Sequence, residues 1–518
     1  MVRAEWILWA LAWIAARAVL VLAFADVYGY GEEAERACAA KAMIDGLGVP
    51  HHELSYRYFE GGAFAISHLE ALVFLVLGPT WLATKLVALL FGVAILGVGW
   101  KLCDAFGGRT AARAFALLFI LAPASVQKLS LLALGSHFHS ILFIALVLWF
   151  SARIVLEPAK RARSWLALGL AAGFGLFFSY QLVLTLAVVA AVIVLELRRE
   201  LLRKTTWLFA VGFVAGVSPL LWMVAHVGGE VLDIHGTKLV GSSAAAKADV
   251  LRDFVHSVFD GRGALDWIAL ITLCAAPIFA WIATRASGSR SLRLGARMVL
   301  AHAMLFLLVY LAGGFTVGRV YHYFLLSRLT PLWFFAAVVI ALGFAAAWNS
   351  KQMFARATMA VAVTILALSG AADLLSTKAA SAQSGGNWSE NFRTLARTRS
   401  DLYPEYMRKI LPHLEGDRRD KLRVLLRFRE QPASGPAARL QTGIAMALYD
   451  DPALELPDIR AELDSIAGDN LTAFYRGLGP YLRARFPGNV AARVEFALTL
   501  PPEIRDAVIE GIGAHGIG

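Results

Sequence analysis

A membrane-crossing helix needs about 20 consecutive, mostly apolar residues, and the first 375 positions of this chain approach that length eleven times. The stretches lie near residues 5–25, 81–100, 111–126, 137–155, 164–180, 182–197, 206–226, 265–285, 297–314, 330–348 and 356–375. Those at 111–126 and 164–180 are short. A chain so patterned must satisfy its backbone within helices, because lipid offers no hydrogen bonds. The composition agrees: 58% of the 518 residues are hydrophobic and 17% are charged. A soluble domain carries about 25% charged residues, and a disordered chain is poor in apolar ones. Both classes are excluded, and the sequence predicts an all-α polytopic membrane protein of about eleven transmembrane helices.

Charge orients it. The formal net charge is +11, of which residues 376–518 contribute only +1, with 19 Lys+Arg against 18 Asp+Glu. The surplus therefore belongs to the hydrophobic part and points to membrane topology rather than to nucleic acid. One alternate set of connections is short and basic: Lys101, Arg109 and Arg113; Arg153, Lys160, Arg161 and Arg163; Arg198, Arg199, Arg203 and Lys204; Arg285, Arg290, Arg293 and Arg297; Lys351 and Arg356. Short basic loops are cytoplasmic. The other set, 26–80, 227–264 and 315–329, is mostly longer and mixed in charge. An odd number of spans with Met1 inside then places the C-terminal segment outside, so the expected location is the inner (cytoplasmic) membrane.

The first span begins with Arg3 and ends at Ala23-Phe24-Ala25, which imitates a signal peptide and its cleavage site. Its apolar run of about twenty residues exceeds the usual h-region of 7–15, so a retained helix is expected. Arg17 lies inside it, and a cation in a span faces a bundle interior or a polar cavity. Cys38, Cys103 and Cys274 are far apart and form no C-x-x-C pattern, which predicts neither a structural disulfide nor a zinc site.

The first outer loop is the richest. It runs from Asp26 through Tyr28-Gly29-Tyr30-Gly31 to Glu32-Glu33, then an Ala-rich helical stretch to Gly46, then His51-His52, then Tyr56-Arg57-Tyr58-Phe59-Glu60-Gly61-Gly62. Residues 63–77 are apolar but interrupted by His68 and Glu70, which suits a helix lying in the interface. Gly78-Pro79 ends it.

Beyond residue 375 the composition changes. Residues 376–390 form a polar Gly/Ser/Ala linker, and 391–518 alternates charged and apolar residues at helical spacing. A 34-residue period aligns 406–414, 440–448, 474–482 and 508–516 and brings Gly443, Gly477 and Gly511 into register. That is the tetratricopeptide period, so the tail is expected to be an extracytoplasmic helical-repeat domain able to hold a protein partner.

Ionisable residues within the spans are few: Arg17, Lys85 and, near a span end, His302. Titratable groups gather instead on the outer loops, at Asp26, Glu32, Glu33, Arg57, Glu60, Lys128, His137, His139, Arg319, His322 and Arg328. Carboxylates beside cations suit transfer at the outer surface. A carboxylate takes a proton from an acceptor hydroxyl, while Arg and Lys hold a leaving phosphate. Transporters show paired halves, and no matching halves are present.

The ordered series of Glu32-Glu33, Ala34–Gly46, Tyr56–Gly62, Gly78-Pro79, Phe106-Gly-Gly-Arg109, Ala122-Pro123-Ala-Ser125, Gly212–Pro219 and Arg319-Val-Tyr321 with Pro331 resembles GT-C-fold integral membrane glycosyltransferases of the protein-mannosyltransferase and aminoarabinose-transferase type. The resemblance spans roughly residues 5–375. It implies a GT-C-like helix arrangement, a polyprenyl-phosphate sugar donor entering from the bilayer, and an extracytoplasmic acceptor: glycolipid, polysaccharide or protein. Position by position, Glu32 and Glu33 match the family's acidic pair, whose first member is usually Asp and acts as base. Here it is Glu, one methylene longer, and Asp26 is the alternative base. Arg57, Tyr58, Glu60, Lys128, His137, His139, Arg319, Tyr321 and Arg328 are the substrate-binding candidates, with Arg319 and Arg328 foremost for phosphate.

His137 and His139, at i and i+2, do not share a helix face, so an end-of-helix hydrogen bond is expected of them rather than metal ligation. Some relatives need a divalent metal; none is expected here, nor any cofactor. The predicted activity is inverting sugar transfer. The alternative is a GT-C scaffold that has lost catalysis and presents its helical tail to partner proteins.

Overall fold

A computed structural model describes residues 2–24, 31–45, 61–135, 138–198, 201–232, 243, 245–249, 251–252, 264–312, 330–350, 352–376, 482, 486 and 488–514. The described elements are helices. In chain order they are α1 (Val2–Phe24), α2 (Gly31–Asp45), α3 (Gly61–Leu77), α4 (Trp81–Ile120), α5 (Ala124–Leu129), α6 (Ser140–Leu156), α7 (Arg161–Phe178), α8 (Leu182–Leu197) and α9 (Trp207–Val227). Then follow α10 (Ala264–Ala286), α11 (Arg290–Ala312), α12 (Pro331–Asn349), α13 (Met353–Leu375), α14 (Val490–Leu498) and α15 (Pro502–Ala514). The chain forms two compact units. One comprises Met1–Gly29, Tyr56–Ile66 and Thr84–Thr398; the other comprises Tyr30–Ser55, Ser67–Ala83 and Arg399–Gly518.

Within the described residues each of the eleven apolar stretches is mostly helical, so the all-α expectation holds for those residues. Among the described residues, six helices are long and apolar enough to cross a membrane, or seven if the bent pair α6 and α7 is one crossing. The difference from eleven has local causes. The stretches near 81–100 and 111–126 are two helical arms of α4 that part at Gly108 (φ 70°, ψ −172°) and count together as one of those six. Only glycine adopts that backbone readily, so Phe106-Gly107-Gly108-Arg109 is a turn between two helical arms. α6 and α7 meet at 120° across Glu157-Pro158. The 16 residues of α8 reach about 24 Å at 1.5 Å per residue, short of the ~30 Å hydrocarbon layer.

Packing in the first unit sorts the helices. α12 is buried along nearly its whole length, from Pro331 to Ala347, as befits a helix apolar on every side. α9 and α10 instead turn Val211, Val214, Ile271, Ile278 and Ile282 outward. α7 and α9 pack against each other through glycines. A Cβ on Gly169 or Gly173 would strike the carbonyls of Phe209 or Phe213, and one on Gly212 or Gly216 would strike those of Leu166 or Leu170. This is reciprocal small-xxx-small contact, which lets two backbones approach closely. Thr185 of α8 and His302 of α11 join at 3.2 Å (Oγ1 to Nε2) inside the bundle.

Basic turns gather at one end of this unit. Arg113 bonds Glu5 at 2.5 Å, joining the second arm of α4 to the start of α1. Lys101 and Arg153 both lie over the Trp149 ring. Arg290 bonds Glu196 at 2.5 Å, joining the turns after α8 and α10. The connections read as one face from their charge thus touch one another.

In the second unit, Ala37 and Ala40 of α2 pack with Ala71 and Phe74 of α3 and with Ala83. Gly78, at φ 77°, ends α3 and bonds back from its N–H to the Phe74 carbonyl at 2.9 Å, as a left-handed C-terminal glycine does. Leu72, Leu75 and Val76 on α3 are exposed, consistent with an interfacial helix. α14, capped by the Asn489 side chain on the Ala492 N–H at 3.0 Å, pairs with α15. The linker 376–390 beyond Ser376 and the repeats at 406–414 and 440–448 lie outside the described residues, as does 474–482 apart from Leu482.

Candidate functional site

The second arm of α4 ends at Ile120, away from the basic turns, and leaves carbonyls with no partner in the helix. Buried side chains from other helices supply them. Arg17 of α1 donates from one terminal nitrogen to the Ile120 carbonyl and from Nε to Ser130 Oγ, both at 3.0 Å. Ser130 Oγ donates to the Gln127 carbonyl at 2.6 Å. Gln127 Nε2 donates to the Ala122 carbonyl at 2.6 Å and to the Gly370 carbonyl of α13 at 3.0 Å. Asp373 Oδ2 accepts from the Ala124 N–H at 3.1 Å. Gly370 has no side chain because a Cβ would meet the Leu121 carbonyl. Trp13 lies 4.2 Å beneath the Arg17 guanidinium and stacks on Phe119 at 4.9 Å. The cation expected to face a bundle interior does so; its bonds flank α5 at Ile120 and Ser130, while Gln127 and Asp373 tie α5 to α13.

Lys128 sits on this braced helix and is half-buried. Desolvation pushes its pKa below the ordinary lysine range. The chain then turns at Gly135 (φ 88°), where a Cβ would come within 2.5 Å of the Gly62 carbonyl carbon. Gly62 in turn abuts the Phe178 carbonyl and Gly135. The Gly61-Gly62 end of the first outer loop and the turn at Gly135 therefore meet backbone to backbone. Only glycine tolerates this approach.

His139 takes the N-cap of α6 but makes no side-chain capping bond. It is fully buried, edge-on to Phe91 at 4.8 Å, and neither ring nitrogen has a partner among the described residues. The expected end-of-helix hydrogen bond is not formed, because aromatic rings fill the space around the imidazole. Among the described residues no group of three His, Cys, Asp or Glu is placed to hold a metal, and Cys103 and Cys274 are free thiols.

Glu33 lies in the first turn of α2 and is fully buried, three residues before the buried Arg36. Acidic residues favour this position, and an i, i+3 cation lies on the same side of the helix. Glu32 is in the same turn, with its side chain outside the described residues. Asp26, Arg57, Tyr58, Glu60, His137, Arg319, Tyr321 and Arg328 also lie outside them.

Sequence reasoning missed Gln127, Ser130 and Asp373 as partners of Arg17 and α5. Asp373 was legible as a carboxylate near the end of an apolar stretch, which demands a polar partner.

No protein-family model matches the chain, and no curated protein matches it in sequence. Among solved structures the chain is similar to ArnT from Cupriavidus metallidurans bound to undecaprenyl phosphate, with 16% identity and a TM-score of 0.43 over 96% of this chain and 81% of that one. It is similar also to the apo state of the same protein, with 14% identity and a TM-score of 0.43 over 97% and 82%.

Proposed function

We propose that the chain is a glycosyltransferase of the inner membrane, with its N-terminus cytoplasmic and its C-terminal domain periplasmic. It moves a sugar from a polyprenyl-phosphate donor to an extracytoplasmic acceptor. The observation that carries this reading is Lys128. It is a partly desolvated cation on a short helix braced by Arg17, Gln127, Ser130 and Asp373, at the end of the bundle where Gly62 meets Gly135. A cation so held costs little further ordering when an anion binds, and a low-dielectric setting strengthens its attraction for a phosphate.

In the proposed reaction a carboxylate of Glu32 or Glu33, with Asp26 the alternative, takes the proton of an acceptor hydroxyl. The hydroxyl oxygen attacks C1 of the sugar as the bond from C1 to the phosphate oxygen breaks. The configuration at C1 inverts, and the polyprenyl phosphate leaves with its charge against Lys128, Arg319, Arg328 and Arg57. Tyr58, Glu60, Tyr321 and His137 shape the sugar and acceptor sides. The reaction as written needs no resident cofactor, and transfer should persist in EDTA. The test is transfer by purified Lys128→Gln protein. A raised KM for the donor with normal folding is expected, and wild-type kinetics in that variant would overturn the assignment of Lys128.

A further inference from the structure

A second opening lies at the other end of the first unit, among the basic turns. A cavity of about 460 Å³ opens between the α10–α11 turn and the α12–α13 turn. Its rim is polar, with Ser287, Ser289, Asn349 and Gln352, and its floor is apolar, with Leu292 and Ala346. None of the residues lining it is charged. Two arginines next to the lining residues bond to their backbone: Arg293 donates to the Ser287 carbonyl at 2.8 Å, and Arg356 donates to the Ser350 carbonyl. A guanidinium has five N–H donors, so each keeps donors for a second acceptor. Arg290 differs, because Glu196 already answers its charge at 2.5 Å.

The surroundings identify the acceptor's source. Beside the cavity, Trp348, Met353 and Phe354 are exposed, the last two by more than 80%, and Phe279 and Ile282 of α10 are exposed above it. Those faces suit acyl chains, and the polar rim with its arginines suits a headgroup. Basic pockets between transmembrane helices on the cytoplasmic side bind anionic headgroups. We propose that this cavity seats the phosphate headgroup of an anionic phospholipid of the surrounding leaflet, with its acyl chains along α10 and α13. The site is separate from Lys128 and independent of the transfer reaction.

Native mass spectrometry of the full-length protein in detergent, offered equal amounts of dioleoylphosphatidylglycerol and dioleoylphosphatidylcholine, tests this. Retention of the anionic lipid in a preference on the order of 25-fold is expected. A basic group near the surface contributes about fivefold, so Arg293→Gln with Arg356→Gln should lower that preference on the order of 25-fold. Ala346→Leu fills the floor, leaves the charges in place, and should also lower retention, which keeps the test valid if the arginine variant fails to fold. Equal retention of the two lipids, or unchanged preference in both variants, overturns the proposal. Complete displacement by equimolar glycerol 3-phosphate would assign the cavity to a soluble phosphate and overturn the lipid assignment.

Discussion

Arg17 shows how one residue that lipid disfavours becomes a fastener when it meets orphan backbone at a helix end. Its bonds to Ile120 and Ser130 need a forked donor, so lysine is not an equivalent. Arg17→Leu leaves buried acceptors unmet, which costs about 1–3 kcal/mol each. Thermal unfolding in detergent should show a clearly lowered midpoint, with Arg17→Lys recovering only part of the loss. Gly135→Ala faces both a positive φ and the Gly62 backbone; strain of this kind costs about 1–3 kcal/mol, and the same assay should register it. Lys128 adds a pH signature. Its pKa is lowered by desolvation, so its charge is lost earlier on the alkaline side than that of an ordinary lysine. Donor affinity should fall as pH rises through that lowered value. Lys128→Arg, charged throughout, should flatten this alkaline limb in a plot of KM against pH.

Among the elements, α7 and α9 give the sharpest expectation. Their glycines face one another's carbonyls, and a large side chain there forces the helices apart, at roughly 1–3 kcal/mol for overpacking. Gly173→Leu and Gly216→Leu should each destabilise the fold, whereas Leu195→Ala, at an 82% exposed position, should change the unfolding midpoint little. Much of this level was legible in the sequence. The apolar runs predicted the helices, Gly212–Pro219 drew attention to α9, and Gly78-Pro79 ended α3. The rest depended on partners remote in sequence. Arg17 bonds groups 103 and 113 positions away, and Ala124 meets Asp373 across 249, so no local pattern announces them. His139 is the converse case. Its place at a helix start suggested a capping bond, but Phe91 and Phe138 took the surrounding space, and those contacts too are invisible to periodicity.

At the scale of the whole molecule, charge organises the chain. The ion pairs Glu5 to Arg113 and Glu196 to Arg290 show that connections distant in sequence share one end of the first unit. The basic surplus that sets them inside predicts the outcome of cysteine labelling. With the natural cysteines replaced, Glu157→Cys should react with an impermeant maleimide only after cells are opened, and Gly229→Cys should react in intact cells. The same polarity puts the proposed lipid seat and the proposed transfer site on opposite leaflets. The central claim is the transfer itself. It is tested most directly by mass spectrometry of envelope glycolipids, polysaccharide and glycoproteins from cells that carry the gene, lack it, or carry Glu32→Gln with Glu33→Gln. One sugar addition should be present with the wild-type protein and missing from the other two. An identical glycan profile in all three would contradict it.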